Sequence, residues 1–161
     1  MEYKKAYFAG GCFWGVEHLF QAKEGVVSAI SGYMGGNVDN PTYEQVCAKN
    51  TGHLETVEIT YDPDQTSYEE LTKFFFEIHD PTQANGQGPD IGPQYLSAVF
   101  YSAEEEKQIG EKLIGILKDK GFNVVTKLIP GETFWKAEDY HQDYYANKSA
   151  QPDCHFYQKR F

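Results

Sequence analysis

A cysteine near the start of the chain stands where its side chain could act as a nucleophile. Cys12 follows Gly10 and Gly11 and precedes Phe13 and Trp14. The pattern predicts that a strand ends and a helix begins here, and a helix N-terminus favours negative charge. A thiol in that position tends toward the reactive thiolate. The two glycines allow a tight turn, and the two aromatic rings could wall an apolar pocket beside the sulfur.

Other chemistries of Cys12 stay open on spacing alone. A buried structural cysteine with core aromatics would give the same pattern, since free cysteine is commonly buried. A cysteine hydrolase could pair Cys12 with His53 and an acidic partner. A non-catalytic thiol or zinc-binding module is the third alternative, although the five histidines are scattered and no C-x-x-C is present. Phosphate chemistry fits poorly because Arg160 is the sole arginine.

Length and charge exclude several classes of protein. The 161 residues suit a single domain, 1–161, and the formal net charge of −10 argues against a nucleic-acid partner. No run of 18 apolar residues is present, so we expect no membrane span. Three cysteines do not resemble a secreted disulfide scaffold, and the first residues lack the apolar region of a signal peptide. We therefore expect a cytoplasmic protein, with a monomer as the default state.

The elements that must position Cys12 follow from apolar periodicity and capping signals. Strands are predicted at 4–9, 26–33, 56–61 and 97–101, with helices at 12–23 and after a capping box at Ser67 and Glu70. The order is βαββαβ, which is typical of the ferredoxin-like split βαβ unit. We therefore expect an α+β fold, a two-layer sandwich core with long loops and an irregular C-terminal tail.

The second half of the chain is less regular. A capping box at Ser102 and Glu105 predicts a third helix that ends before Gly121, followed by a strand at 123–129 and a short helix at 138–147. Residues 148–161 form the predicted tail. Two long loops, 35–54 and 80–95, remain, and loops of this length are often functional.

Four segments of the chain resemble one enzyme family. AGGCFWGVE closely resembles the signature of the A-type peptide methionine sulfoxide reductases. The segments SGYMGGNVDNPTYEQVCAKNTGHLETVEITYDP, HDPTQANGQGPDIGPQY and YHQDYYANK resemble further family segments in the expected order. The resemblance implies thiol-dependent reduction of the S epimer of methionine sulfoxide, free or in proteins, with no bound cofactor or metal.

The resemblance also implies which groups handle the sulfoxide oxygen. Glu55, in the GHLE segment, matches the family's catalytic glutamate. To donate a proton at neutral pH it must be protonated, which requires a desolvated site. Tyr43 and Tyr95 match tyrosines that hydrogen-bond the oxygen, because each hydroxyl can donate to a developing oxyanion. Without the resemblance, an exposed glutamate and two packing tyrosines would explain these residues.

Substrate contacts are implied for three more residues. Phe13 and Trp14 would hold the S-methyl group, and Asp90 would position the substrate or its amide. Proline at Pro93 departs from the family pattern, where a threonine-like residue is expected. Glu17 has no evident role and is expected to be a surface or turn-supporting charge.

The catalytic cycle closes through a second thiol. Attack leaves a sulfenic acid on Cys12, which another cysteine can resolve to a disulfide. Cys154, in the tail, resembles the family's resolving cysteine, and Cys47 is the alternative. The resemblance implies that thioredoxin, or dithiothreitol in vitro, then reduces the disulfide between Cys12 and Cys154.

Overall fold

The computed structural model describes residues 2–48, 51–142, 155 and 157–161. Within these residues the strands are β1 (Lys4–Gly10), β2 (Val26–Met34), β3 (Leu54–Tyr61), β4 (Gly86–Gln87), β5 (Asp90–Ile91), β6 (Ser97–Tyr101), β7 (Lys127–Pro130) and β8 (Trp135–Lys136). The helices are α1 (Phe13–Gln21), α2 (Tyr43–Cys47), α3 (Tyr68–Ile78) and α4 (Glu104–Asp119). Single 3-10 turns occur at Pro93–Tyr95 and Asp139–His141. None of these helices is both long and apolar enough to cross a membrane.

The architecture is a mixed α/β fold around one six-stranded sheet. The strand order is β7-β6-β1-β3-β2-β8, and β4 and β5 form a separate hairpin. β1 pairs antiparallel with β3 and β6, and β2 pairs antiparallel with β3 and β8. β6 and β7 run parallel. The C-terminal end of β1 and the N-terminal end of β3 therefore lie at the same end of the sheet. Cys12 follows β1 there, and Glu55 is the second residue of β3.

Alternation along β1 divides the core between the two faces of the sheet. Phe8 is fully buried on the helix side, and its ring stacks on Phe20 of α1 at 5.4 Å and on Phe75 of α3 at 5.0 Å. Ala9 belongs to a smaller apolar cluster on the opposite face, with Met34 as its neighbour in the cluster. The helix α1 that carries the candidate nucleophile is thus fixed by aromatic packing at its far end.

Both predicted long loops contain regular structure. Helix α2 lies inside 35–54, and its N-cap Thr42 forms a capping box with Gln45. The β4–β5 hairpin and a 3-10 turn lie inside 80–95. Elements this short carry too few apolar positions to show a period.

Three predictions in the second half need correction. The Ser102 capping box was wrong: α4 begins one residue later with Ala103 as N-cap, and the Ser102 N–H donates to Glu106 Oε1 at 2.8 Å. The strand predicted at 123–129 is confined to β7. The helix predicted at 138–147 is a single 3-10 turn as far as the described residues extend, and most of the tail 148–161 lies outside them.

Candidate active site

Cys12 lies between β1 and α1, as the sequence predicts. It occupies the N-cap position of α1, with φ −58° and ψ 121°. Gly11 has φ 95°, a conformation that favours glycine, and a Cβ there would collide with the Gln87 side chain. The Cys12 side chain is partly exposed. The glycine turn therefore presents the thiol at the N-terminus of a nine-residue helix, where the dipole favours an anion.

Glu55 is buried beside this turn. Its side chain is 1% exposed, and Oε1 accepts a hydrogen bond of 3.2 Å from the backbone N–H of Phe13. Oε2 has no hydrogen-bond partner among the described residues. Burial raises the pKa of Glu55 to about 8, against the lowering effect of the Phe13 bond and with a further rise from Asp90. The carboxyl is therefore protonated at neutral pH and carries a proton that no described protein group accepts.

Tyr43 and Tyr95 lie close to this carboxyl. Tyr43 is the first residue of α2, and Tyr95 ends the 3-10 turn that precedes β6. Burial raises the pKa of both phenols, and the Glu55 charge raises it further; for Tyr95 the charge of Cys12 is the next cause. Cys47 adds to both shifts, through a hydrogen bond in the case of Tyr43. Both hydroxyls therefore stay protonated and can donate at the site.

Asp90 approaches from the β4–β5 hairpin. Asp90 in β5 is the strand partner of Gln87 in β4. The side-chain amide of Gln87 forms two hydrogen bonds with the backbone of Asp80: it accepts from the N–H at 2.7 Å and donates to the C=O at 3.0 Å. These two bonds tie the hairpin to the segment after α3, and the Gln87 side chain lies against Gly11. Pro93 opens the following 3-10 turn, a position where a missing N–H costs nothing. Sequence reasoning missed Gln87, and nothing in the local pattern identifies it.

Phe13 and Trp14 differ in exposure. Phe13 is 1% exposed and packs on Tyr33, Tyr43 and His141, with ring centroids 5.6, 6.4 and 5.2 Å away. Trp14 is partly exposed, and its Nε1–H donates to His141 Nδ1 at 2.9 Å. Of the two rings that follow Cys12, Phe13 is therefore part of the core, and Trp14 retains exposed apolar surface.

His141 orients Trp14. It is fully buried, and burial lowers its pKa. Because Nδ1 accepts from Trp14, the neutral ring carries its proton on Nε2, which has no partner within the described part of the chain. The resemblance of the YHQDYYANK segment to the family predicts that His141 supports the structure rather than transferring a proton.

The expectation for Glu17 was wrong. The side chain is 1% exposed, and Oε2 accepts from the Ser31 N–H at 3.1 Å and from the Ser31 hydroxyl at 2.9 Å. Glu17 lies four residues after Phe13 and three before Phe20, so it falls on the buried stripe of α1. That spacing was the available signal for its burial. The carboxylate joins α1 to β2 and holds the helix against the sheet.

His53 is not available as the base of a hydrolase. Its Nε2 lies 2.7 Å from the carbonyl oxygen of Val38, and its Nδ1 accepts from the Gly36 N–H at 3.1 Å. Both ring nitrogens are therefore used by the backbone of the preceding loop, which it supports. No three His, Cys, Asp or Glu side chains among the described residues could together hold a metal ion.

The predicted resolving residue Cys154 lies outside the described residues, whereas His155 is described. His155 is 3% exposed, and its Nε2–H donates to the Gly10 carbonyl at 2.6 Å. A Cβ at Gly15 would collide with the imidazole ring. Burial lowers the pKa of His155, which keeps the ring neutral. The residue after Cys154 is thus docked in a notch formed by Gly10 and Gly15, on either side of Cys12.

The chain is similar to known proteins over nearly its whole length. A family model described as peptide methionine sulfoxide reductase matches residues 4–161. A protein of Sulfolobus acidocaldarius named peptide methionine sulfoxide reductase MsrA is 51% identical over 150 residues, covering 92% of this chain and 85% of the relative. A protein of the same name from Acinetobacter baumannii is 49% identical over 153 residues, covering 95% and 88%.

Solved structures agree with these sequence matches. Mxr1 from Saccharomyces cerevisiae in reduced form is 32% identical, with a TM-score of 0.90, and covers 98% of this chain and 93% of that one. Methionine sulfoxide reductase A of Corynebacterium diphtheriae is 36% identical, with a TM-score of 0.81, and covers 91% and 76%. Mxr1 in complex with Trx2 shares the fold at 24% identity, with a TM-score of 0.65, covering 98% and 91%.

Proposed function

The chain belongs to the peptide methionine sulfoxide reductase family, and from this membership we propose that it reduces the S epimer of methionine sulfoxide to methionine through Cys12. The observation that carries the mechanism is the buried Glu55 carboxyl. One of its oxygens is held by the N–H of Phe13, the residue after the nucleophile, and the other has no described partner. A neutral acid beside a thiol at a helix N-terminus is the arrangement that sulfoxide reduction needs.

The first step transfers oxygen from the substrate to Cys12. The thiolate attacks the sulfoxide sulfur and forms an S–S bond while the oxygen takes up a proton. The hydroxyl then moves to the Cys12 sulfur as the S–S bond and the original sulfur–oxygen bond break, which leaves a thioether and a sulfenic acid on Cys12. The sulfoxide sulfur gains the two electrons that Cys12 loses. Negative charge builds on the oxygen during attack, so groups that donate to it lower the barrier.

Glu55 is the proposed general acid. Its raised pKa, about 8, leaves it protonated at neutral pH, and the oxygen that has no partner among the described residues can present that proton to the sulfoxide oxygen. Tyr43 and Tyr95 are the proposed neutral donors to the same oxygen. Asp90 raises the pKa of Glu55 and is proposed to orient the substrate or its amide.

The apolar side of the site supports selection of one epimer. Trp14 is proposed to seat the S-methyl group against the base provided by Phe13, while the donors face the oxygen. With the methyl group and the oxygen fixed on different sides, only one configuration at sulfur leaves the substrate chain directed outward. Free methionine sulfoxide and oxidised peptides or proteins present this same group.

Recycling is proposed to proceed through Cys154. Its thiol attacks the Cys12 sulfenic acid, a disulfide forms and water leaves. The support comes from His155, the residue after Cys154 in the chain, whose ring is bonded to the carbonyl of Gly10, two residues before Cys12. Thioredoxin is the proposed reductant of that disulfide, since yeast Mxr1 was solved in complex with Trx2.

Six elements of the chain support a ferredoxin-like core. We assign the elements β1, α1, β2, β3, α3 and β6 to a ferredoxin-like core, because they follow the βαββαβ order and the four strands lie as β6-β1-β3-β2. One catalytic domain over 1–161, a monomeric state and a cytoplasmic location stay predictions.

The test is turnover of chromophore-tagged methionine sulfoxide, with the S and R epimers assayed separately and dithiothreitol as reductant. We expect product from the S epimer alone and none from Cys12→Ser. Turnover of the R epimer at an equal rate would overturn the epimer assignment, and activity in Cys12→Ser would overturn the nucleophile.

The resolving step has its own test. Cys154→Ser should complete one stoichiometric turnover and lose thioredoxin-driven cycling, while Cys47→Ser should keep both. Undiminished thioredoxin cycling in Cys154→Ser would remove Cys154 from the cycle, and loss of cycling in Cys47→Ser would transfer the role to Cys47.

A further inference from the structure

Glu138 joins three parts of the molecule behind the site. Its Oε1 accepts from the Tyr33 hydroxyl at 3.0 Å, and its Oε2 accepts from the Tyr43 backbone N–H at 2.9 Å. Its carbonyl accepts from the His141 N–H at 3.0 Å. One residue is therefore bonded to β2, to the start of α2 and to the turn that carries His141.

The bond to Tyr43 matters because α2 is short. The helix has five residues, too few to be stable without its caps, and the Tyr43 N–H is among the groups that its first turn leaves unpaired. Thr42 and Gln45 form a capping box at the start of the helix. The Glu138 carboxylate, which lies outside the helix, accepts the hydrogen bond from the Tyr43 N–H. The backbone of Tyr43 is thus held from a different part of the chain.

Glu138 is also linked, through His141, to Trp14 on the apolar side of the site. The rings of Tyr43 and His141 lie 4.3 Å apart between centroids, and His141 accepts the bond from Trp14. A shift of the Asp139–His141 turn would therefore move both Trp14 and Tyr43.

The chemistry of Glu138 suits a charged clamp. Its two oxygens face two different donors, so an ionised carboxylate satisfies both, whereas an amide would turn its NH₂ group toward one of them. Burial raises the pKa of Glu138, but the bonds from the Tyr43 N–H, its own N–H and the Tyr33 hydroxyl outweigh burial and lower it.

We propose that Glu138 is a positioning residue for the reduction step: its carboxylate fixes Tyr43 and the His141 turn relative to Cys12, so that donor and methyl pocket face one sulfoxide. This inference rests on the proposed role of Tyr43 as a donor. Glu138 acts through Tyr43 and His141 and has no described contact with the thiol.

The experiment measures the single-turnover rate of methionine production, with Cys12 reduced and no recycling reductant. Glu138→Gln is expected to slow this rate about tenfold or more, since small displacements at a reacting centre are costly. Tyr33→Phe, which keeps the ring and removes one of the two donors, is expected to have a smaller effect in the same direction.

Glu58→Gln is the matched control. Glu58 is buried, whereas Glu138 is partly exposed, and Glu58 likewise accepts from a tyrosine hydroxyl, that of Tyr7, at 2.9 Å. It lies three residues beyond Glu55 on β3, so its side chain points to the opposite face of the sheet. We expect a loss of thermal stability like that of Glu138→Gln with an unchanged single-turnover rate.

The double variant Tyr43→Phe/Glu138→Gln separates this inference from the proposed function. If Glu138 acts largely through Tyr43, the two losses will not add, and the double variant will be about as slow as the slower single variant. If Tyr43→Phe is slow but Glu138→Gln reacts at the same single-turnover rate as Glu58→Gln, the positioning role of Glu138 is overturned, while the donor role of Tyr43 is kept. If Tyr43→Phe is fully active, the donor role fails and the clamp fails with it.

Discussion

Tyr43 lies between two glutamates that the fold places in opposite electrostatic environments. Glu55, near its hydroxyl end, is buried, has one oxygen without a described partner, and has its pKa raised to about 8. Glu138, at its backbone end, is partly exposed, has both oxygens bonded, and has its pKa lowered. One carboxyl keeps its proton at neutral pH, and the other keeps its charge.

The difference follows from the donors that each carboxyl meets. Glu55 receives one N–H in a site that excludes water, which does not offset the cost of burying a charge. Glu138 receives bonds from a hydroxyl and an N–H at the surface. The same side chain therefore serves as an acid in one place and as a clamp in the other.

The largest expected effect comes from removing the acid. Glu55→Gln keeps the shape of the side chain but cannot transfer a proton, so the single-turnover rate should fall by about 10² to 10⁴. In the wild type this rate should also fall as pH rises through about 8, because Glu55 loses its proton there. The alkaline decline should be absent from Glu55→Gln. Rapid-quench product analysis measures the rate. If Glu55→Gln is as fast as Glu58→Gln, Glu55 is not the proton donor.

A smaller effect is expected where the tail meets the site. His155→Ala removes the bond to the Gly10 carbonyl, so formation of the Cys12–Cys154 disulfide should slow by about 10- to 100-fold. Methionine production in the first turnover should be unchanged. Loss of free thiols after one equivalent of substrate measures the disulfide step, and His18→Ala on α1 is the control. Equal disulfide rates in the two variants would show that the docked imidazole does not guide the tail.

The smallest effect is on stability, and it has opposite signs at the two glutamates. Between pH 4.5 and about 8 the folded chain retains the Glu55 proton that the unfolded chain releases, so its stability falls as pH rises. Glu55→Gln has no such proton to retain. Its free energy of unfolding, relative to that of the wild type, should therefore rise by at most about 1.4 kcal/mol per pH unit. Glu138→Gln should destabilise at neutral pH, with the loss fading as pH falls through the lowered pKa of Glu138.

Thermal unfolding measures these signs, from pH 5 to 8 for Glu55→Gln and from neutral pH to below pH 4.5 for Glu138→Gln. A stability of Glu55→Gln relative to the wild type that does not rise with pH from 5 to 8 would contradict the raised pKa of Glu55. A loss of stability in Glu138→Gln that does not shrink as pH falls below 4.5 would contradict the lowered pKa of Glu138.

Local sequence signals predict the Cys12 turn well. Two glycines followed by an apolar stripe predict the thiol at the start of α1, where the structure has it. The protonation state of Glu55 is beyond such signals, because it depends on burial by residues far away in sequence. Helix α2 is equally hidden, since five residues stabilised by caps and by Glu138 carry no apolar period.

Errors in the sequence reading came from local rules that tertiary contacts overrode. Glu17 was assigned to the surface on residue type, although its spacing from Phe13 and Phe20 places it on the buried stripe. Ser102 offered a capping box, but Glu106 takes its N–H and the helix starts one residue later. In both cases a carboxylate gains donors from a neighbouring segment.

The most direct test of the central claim is the protonation state of Glu55 in the resting enzyme. Difference infrared spectroscopy of the wild type against Glu55→Gln, recorded across pH, isolates the carboxyl stretch of this one residue. We predict a protonated-carboxyl band that is present at neutral pH and titrates near pH 8. A carboxylate band already present at neutral pH, with titration near the ordinary glutamate pKa, would contradict its role as the proton donor.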